Sequence, residues 1–290
     1  MFLQQLINGI SLGGIYALIS SGYAMIYSLL GFSNWAHGEV AMMGAYVAIV
    51  SMTTITFPFI PAAIIGLAGA GVISVFNERF FYRPIRERRT PTVFLMIAAM
   101  GLSIVYQNSV IVFFGSKFLR YPLNLPTVSM PIGTIRLGVY DLISLIVSVI
   151  ALVALEFLIN RTKTGLGIRA IASNSYTASL LGINVNKMFT LVFFLAGSLA
   201  GAAGVLVGLK YNVYPTMGNI GSKAFIAAVI GGLGSVRGAI AGAIILGIIE
   251  TMVAGYLNSS LRDLITFMLL IVMLIVRPSG LMGQTVEEKA

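Results

Sequence analysis

The chain has 290 residues, of which 58% are hydrophobic and only 9% charged, and its mean hydropathy is +0.97. Soluble domains average about 25% charged residues, so this is a membrane protein with no room for a large soluble domain. The net charge of +9 falls in short loops between apolar runs, which fits the positive-inside rule rather than a nucleic-acid surface. Zero cysteines exclude disulfides, Cys-ligated zinc and iron–sulfur clusters, and the single His, His37, speaks against a His-based metal site.

Apolar runs lie at about 6–30, 38–57, 59–76, 91–115, 138–159, 188–209, 223–255 and 261–276. A span needs about 20 residues. The pattern therefore predicts an all-α polytopic protein, one transmembrane domain over 1–290 with about eight spans. No basic residue precedes Arg79, so the first run is expected to remain as a span and not to be cleaved as a signal peptide.

Residues 32–46, FSNWAHGEVAMMGAY, place Asn, His and Glu between two apolar runs. On a helix Asn34, His37, Gly38 and Ala41 share one face, which Ala45 continues, while Glu39 points elsewhere with Trp35 and Met43. Lipid rejects a small polar face of this kind, which suits a pore or a helix contact. For His37 a hydrogen-bonded helix contact and a place on a path stand level. Glu39 and Trp35 read first as interfacial residues.

The segment 77–90 concentrates Arg79, Arg83, Arg86, Arg88 and Arg89, and 160–187 carries Arg161, Lys163, Arg169 and Lys187. Both are expected in the cytoplasm, with two spans between them, and the proline-containing loop 116–137 lies outside by parity. The N-terminus is outside if three spans precede Arg79, and inside if 32–46 is re-entrant. The segment 161–187 reads as a short amphipathic helix with Leu166, Ala170, Ile171, Ala178 and Leu181 on its apolar side and Gly182 at a C-terminal cap. Its few basic residues favour docking on a partner over lying on lipid.

Gly197, Gly201, Gly204 and Gly208, and further on Gly238 and Gly242, are spaced for close helix packing. The run 223–255 is interrupted by GGLGSVRGA, Gly231 to Ala239, with four glycines and Arg237. Glycine costs about 1 kcal/mol against Ala inside a helix, and a buried Arg costs more. A broken helix or re-entrant loop near 231–238, beside a water-filled path, is expected.

The chain has no G-x-x-x-x-G-K-[ST] loop, so ATP would have to be handled by another subunit. GLGIRA, 165–170, matches a relaxed dinucleotide fingerprint but follows no strand. With no H-E-x-x-H and no nucleophile–base pair beyond His37, an enzyme is not expected.

NWAHGEVAMMGAY (34–46), GLGIRAIASNSYTASLLGIN (165–184), AFIAAVIGGLGSVRGAIAG (224–242) and the ending RPSGLMG (277–283) occur in order along nearly the whole chain. Together they resemble the permease subunits of bacterial branched-chain amino acid ABC importers, the LivH-type family. The resemblance implies a bacterial inner-membrane permease that pairs with a second homologous permease, two cytoplasmic ATPases that bind ATP and Mg, and an extracytoplasmic solute-binding protein. It implies no cofactor and no metal in this chain. It further implies that 165–184 docks on an ATPase, with Gly165, Arg169, Ala178 and Gly182 matching the family pattern. Ser173 or Asn174 stands where relatives often carry an acidic residue, and Arg237 where they often carry a neutral residue or proline.

On this reading Asn34, His37, Gly38, Ala41 and Gly44, with Gly232, Gly234 and Ser235 at the glycine break, border the translocation path. A gradient-driven secondary transporter or channel for a small polar solute, with Glu39 or Glu250 as its ion site, stands as the alternative.

Overall fold

The structure is a computed structural model that describes residues 2–88, 90–123, 129–132 and 135–283. Arg89 of the basic segment and residues 124–128 and 133–134 of the expected outer loop lie outside the described residues. In hydrocarbon every backbone N–H and C=O must be satisfied within the chain, and long apolar segments do this by becoming helices. They are α1 (Phe2–Leu30), α2 (His37–Thr53), α3 (Phe59–Asn77), α4 (Arg83–Glu87), α5 (Thr92–Phe114), α6 (Val139–Arg161), α7 (Lys163–Ser173), α8 (Ser175–Leu180), α9 (Val185–Lys210), α10 (Ile220–Gly231), α11 (Val236–Tyr256) and α12 (Leu261–Val276). A π-helical turn, Glu78–Tyr82, joins α3 to α4 without a break. The antiparallel hairpin of β1 (Ser129–Ile132) and β2 (Ile135–Gly138), which the sequence pattern did not announce, precedes α6.

Helix boundaries follow local chemistry. Pro58 and Pro91 sit in extended backbone immediately before α3 and α5, where the ring cannot disturb a helical hydrogen bond. Side-chain oxygens of Thr162, Asn174, Asn184 and Ser235 accept from the amides of Gly165, Thr177, Lys187 and Gly238 and so cap α7, α8, α9 and α11.

Among the described residues six helices are long and apolar enough to cross a bilayer, counting α3 to α4 as one helix, Phe59–Glu87. Of the eight apolar runs, those at 38–57 and 261–276 give α2 and α12, with 17 and 16 residues. The run at 223–255 divides into α10, 12 residues, and α11. The expected helix break is at Gly232–Ser235.

α1 is the axis of the molecule, with nearly every residue from Gly9 to Ile26 buried. It packs on α11 through paired glycines: a Cβ on Gly13 would lie 2.8 Å from the Ile244 Cα, and one on Gly247 would collide with the Gly13 amide. Gly197 and Gly201 bring α9 onto Ala70 and Ser74 of α3 in the same way. The periphery is inverted relative to a soluble protein, with Val112, Phe113 and Ile275 pointing outward, as lipid contact requires.

Tyr27 and Ser28, near the end of α1, share a cavity with Arg169 and Ala172 of α7. With α7 on the cytoplasmic side by its Lys/Arg content, the start of α1, 29 residues or about 43 Å of helix away, lies outside. The chain turns back after Leu30, and α2 begins at His37 against Gly22, about 12 Å of helix rise before the end of α1. α2 then runs on until the Ala45 carbonyl accepts a 3.2 Å hydrogen bond from Tyr121 of the outer loop. The segment 32–46 therefore crosses onward instead of reversing.

Candidate translocation and coupling sites

The expected polar face of 34–45 is turned into helix contacts. Asn34 is buried, and its Oδ1 accepts from the Ala36 amide at 3.2 Å and the Tyr82 hydroxyl at 2.8 Å. It thus closes the turn before α2 and ties it to the π-helical turn. His37 is completely buried beneath Gly22, with the Tyr23 ring edge-on at 4.8 Å and neither ring nitrogen in a well-aligned hydrogen bond. Gly38 meets Gly218 and Gly221, Ala41 meets Gly204, and Gly44 meets Gly201, all at backbone distance. These five residues let α1, α9 and α10 close around the start of α2.

Beside these contacts the segment opens on a cavity of about 130 Å³ whose wall includes Trp35, Glu39, Tyr23, Ser103, Asn219, Ser222 and Phe225. Glu39 is only 5% exposed. Its Oε1 lies 3.4 Å from the Ser103 hydroxyl, a long contact, and its Oε2 has no hydrogen-bond partner. Gly218 is what leaves room for it, because a Cβ there would overlap the carboxylate. Sequence reasoning placed Glu39 at the membrane interface and gave no sign of this cavity, whose walls come from residues 23–39, Ser103 and residues 218–225.

Glu250 is the reverse case. Its carboxylate accepts from Tyr16 at 2.8 Å and Thr266 at 2.9 Å and pairs with Lys223 at 3.1 Å, and Lys223 also reaches Asp263 at 2.8 Å. One satisfied network thus joins α1, α10, α11 and α12.

At the glycine break Gly232 and Gly234 have φ of +111° and +89°, values that favour glycine. Ser235 caps α11 through the Gly238 amide at 3.1 Å. The last carbonyls of α10 find their donors in the C-terminal segment: Leu281 and Met282 donate to Ile230 and Gly231, both at 2.9 Å. Arg237 is not deep in the protein; its guanidinium is largely exposed and its Nε donates to Glu156 at 2.7 Å.

The break faces the expected coupling segment across shared cavities. Gly234 and Ser235 share a cavity of about 370 Å³ with Arg169, Ala172 and Glu156, and a second of about 580 Å³ with Arg169, Tyr27 and Met282. The single helix expected over this stretch is two, because Asn174 ends α7 and caps α8. Its apolar residues also divide. Ile171 and Ala178 pack inward on Phe189, whereas Leu166, Tyr176, Leu180 and Leu181 are 60–77% exposed. Gly165 fits under the carbonyls of Leu158 and Ile159 with no space for a Cβ, and Gly182 takes φ +81° in open space.

Residues 5–274 match the family described as "Branched-chain amino acid transport system / permease component". The chain is 38% identical to the high-affinity branched-chain amino acid transport system permease protein LivH of Escherichia coli K12, with 99% of this chain and 97% of that one aligned. It is 36% identical to the permease protein BraD of Pseudomonas aeruginosa, over 99% and 98%. The chain belongs to the branched-chain amino acid permease family. The family also reaches sideways: the ribose import permease RbsC of E. coli K12 is 25% identical over 86% of this chain and 77% of its own.

This permease is accordingly a transport subunit rather than an enzyme, a multi-pass protein of the bacterial inner membrane. The three cavities lie at opposite ends of α10. The Glu39 cavity opens at the start of α10, and the cavities shared with α7 open at its end.

Proposed function

We propose that this permease is the membrane subunit of an ATP-driven ABC importer for branched-chain amino acids, leucine, isoleucine and valine. It pairs with a second homologous permease, receives its substrate from an extracytoplasmic solute-binding protein, and is driven by two cytoplasmic ATPases that hold the ATP and Mg. No cofactor belongs to this chain. The substrate class rests on the names of the relatives.

The observation that carries the ATPase partnership is the α7–α8 platform. Four large apolar side chains, Leu166, Tyr176, Leu180 and Leu181, face outward at the cytoplasmic end of the molecule, where exposure to water is unfavourable unless a partner covers them. On the inner side Ile168, Arg169 and Ala172 line a cavity shared with Gly234 and Ser235, so a partner seated on the platform is one helix away from the glycine break. The missing phosphate-binding loop fits the same division of labour. An ion-gradient mechanism loses Glu250 as a free carboxylate, since Lys223, Tyr16 and Thr266 already occupy it.

The test is purification from the native membrane in mild detergent, identification of co-purifying subunits, and reconstitution into vesicles. Leucine uptake that requires ATP and the binding protein, and is indifferent to ionophores, is the expected result. Uptake by this chain without ATPases, abolished by an ionophore, would overturn the reading.

A further inference from the structure

Glu39 is a buried carboxylate without a cation. Its Oε2 is buried and unpartnered, no Lys or Arg lines the cavity it faces, and among the described residues no ion pair reaches it. Isolation of this kind is costly. Gly218, in the turn that leads into α10, lies against it, and Gly221 at the start of α10 lines the same cavity, so the positive end of the helix offsets part of that cost. What the site still lacks is a donor that carries positive charge.

The remaining walls suit such a guest. Trp35, Tyr23 and Phe225 form a contiguous aromatic group, with Phe225 5.8 Å from Trp35 and 5.5 Å from Tyr23 between ring centroids. Ring faces attract ammonium ions and also accept an aliphatic side chain. The Ser103 and Ser222 hydroxyls can take up the protons that Glu39 does not. At about 130 Å³ and open on one side, the cavity holds the head of an amino acid and leaves its remainder to the facing surface of the path.

We propose that this cavity is a transit site that recognises the α-ammonium group of the substrate, with Glu39 as its counter-ion and Trp35 and Phe225 beside it. The proposal rests on the amino-acid importer reading and specifies the chemistry by which the permease itself, apart from the binding protein, reads its cargo. It assigns to the carboxylate a role that helix packing does not provide, since its Oε2 meets no hydrogen-bond partner, whereas Gly38, Ala41 and Gly44 are in backbone contact with neighbouring elements.

Trp35 is the only tryptophan in the chain and serves as the reporter. The purified importer without binding protein is titrated with leucine and with 2-hydroxy-4-methylpentanoate, which replaces the ammonium by a hydroxyl. The signal of a Trp35→Phe complex is subtracted to isolate Trp35. The expected result is a leucine response at about tenfold or more lower concentration than the hydroxy acid, the scale of one hydrogen bond between charged groups, and loss of that preference in Glu39→Gln. The wild-type comparison needs no variant to fold, and Glu39→Asp, which keeps the charge, should retain the preference.

Equal responses to both compounds, no response to leucine, or an unchanged preference in Glu39→Gln would each overturn the proposal. Leucine uptake in vesicles supplied with binding protein and ATP is measured in parallel. Its absence in the wild type would overturn the importer reading itself, whereas normal uptake without Trp35 selectivity overturns only the ammonium site.

Discussion

Gly204 faces the Ala41 carbonyl so closely that one added methyl would overlap it, and neither atom can yield without moving a helix. Gly204→Ala should therefore cost about 1–3 kcal/mol through overpacking, seen as a fall of a few degrees in the melting temperature of the purified complex. Gly101→Ala is the matched control: nothing lies within 4 Å of a Cβ there, and Ala is the better helix former, so stability should hold or rise slightly. Asn34→Ala tests a polar contact of the same segment. It leaves the buried Tyr82 hydroxyl without its acceptor, a loss of about 1–3 kcal/mol, and the double change with Tyr82→Phe should recover part of it. At this scale spacing told which residues are small, but not what each one meets. Gly204 was legible as half of a packing pair, whereas its partner across α2 depends on how the chain returns. Glu39 was misplaced for the same reason, because its cavity is closed by Ser103 from α5 and by Asn219 and Ser222 from beyond α9.

The glycine break is the element most visible in the sequence, because four glycines and an arginine cannot continue an apolar helix without penalty. Its two positive-φ glycines differ in a way that sequence does not show. Gly232 has φ +111° and a Cβ on it would collide with the Gly283 amide, while Gly234 has φ +89° and its nearest neighbour would be 3.9 Å away. Gly234→Ala should meet backbone strain alone, about 1–2 kcal/mol. Gly232→Ala should be worse, because it also displaces the C-terminal segment from the end of α10. Melting temperatures of the two variants check the order, and equal losses would show that the C-terminal segment adds nothing. The pairing of Leu281 and Met282 with Ile230 and Gly231 escaped the sequence because it joins segments some 50 residues apart with no side-chain code. The split between α7 and α8 was within reach, since Asn174 is a standard helix cap.

Across the whole molecule the two candidate sites are joined by α10. Twelve residues give it about 18 Å of length. It starts at the Glu39 cavity and ends at the break that shares a cavity with Arg169 of α7. If α10 shifts as a unit between the 3₁₀ turn, Met217–Asn219, before it and the glycines after it, displacement of the α7–α8 platform would reach the substrate side without deforming a long span. This separates docking from transmission. Leu181→Asp places a charge on the outward apolar surface, whose partner would then have to bury it unpaired, and it should remove the ATPases from the purified complex. Arg169→Ala instead alters the inner cavity beside Gly234 and Ser235. It should leave the ATPases bound and hydrolysing while the leucine imported per ATP falls severalfold. Subunit stoichiometry and the uptake-to-hydrolysis ratio in vesicles distinguish the two effects. If Arg169→Ala lowered hydrolysis and uptake in proportion, the cavity between α7 and the break would play no part in transmission, and the stroke would have to travel by the direct packing of α7 on α1 and α9.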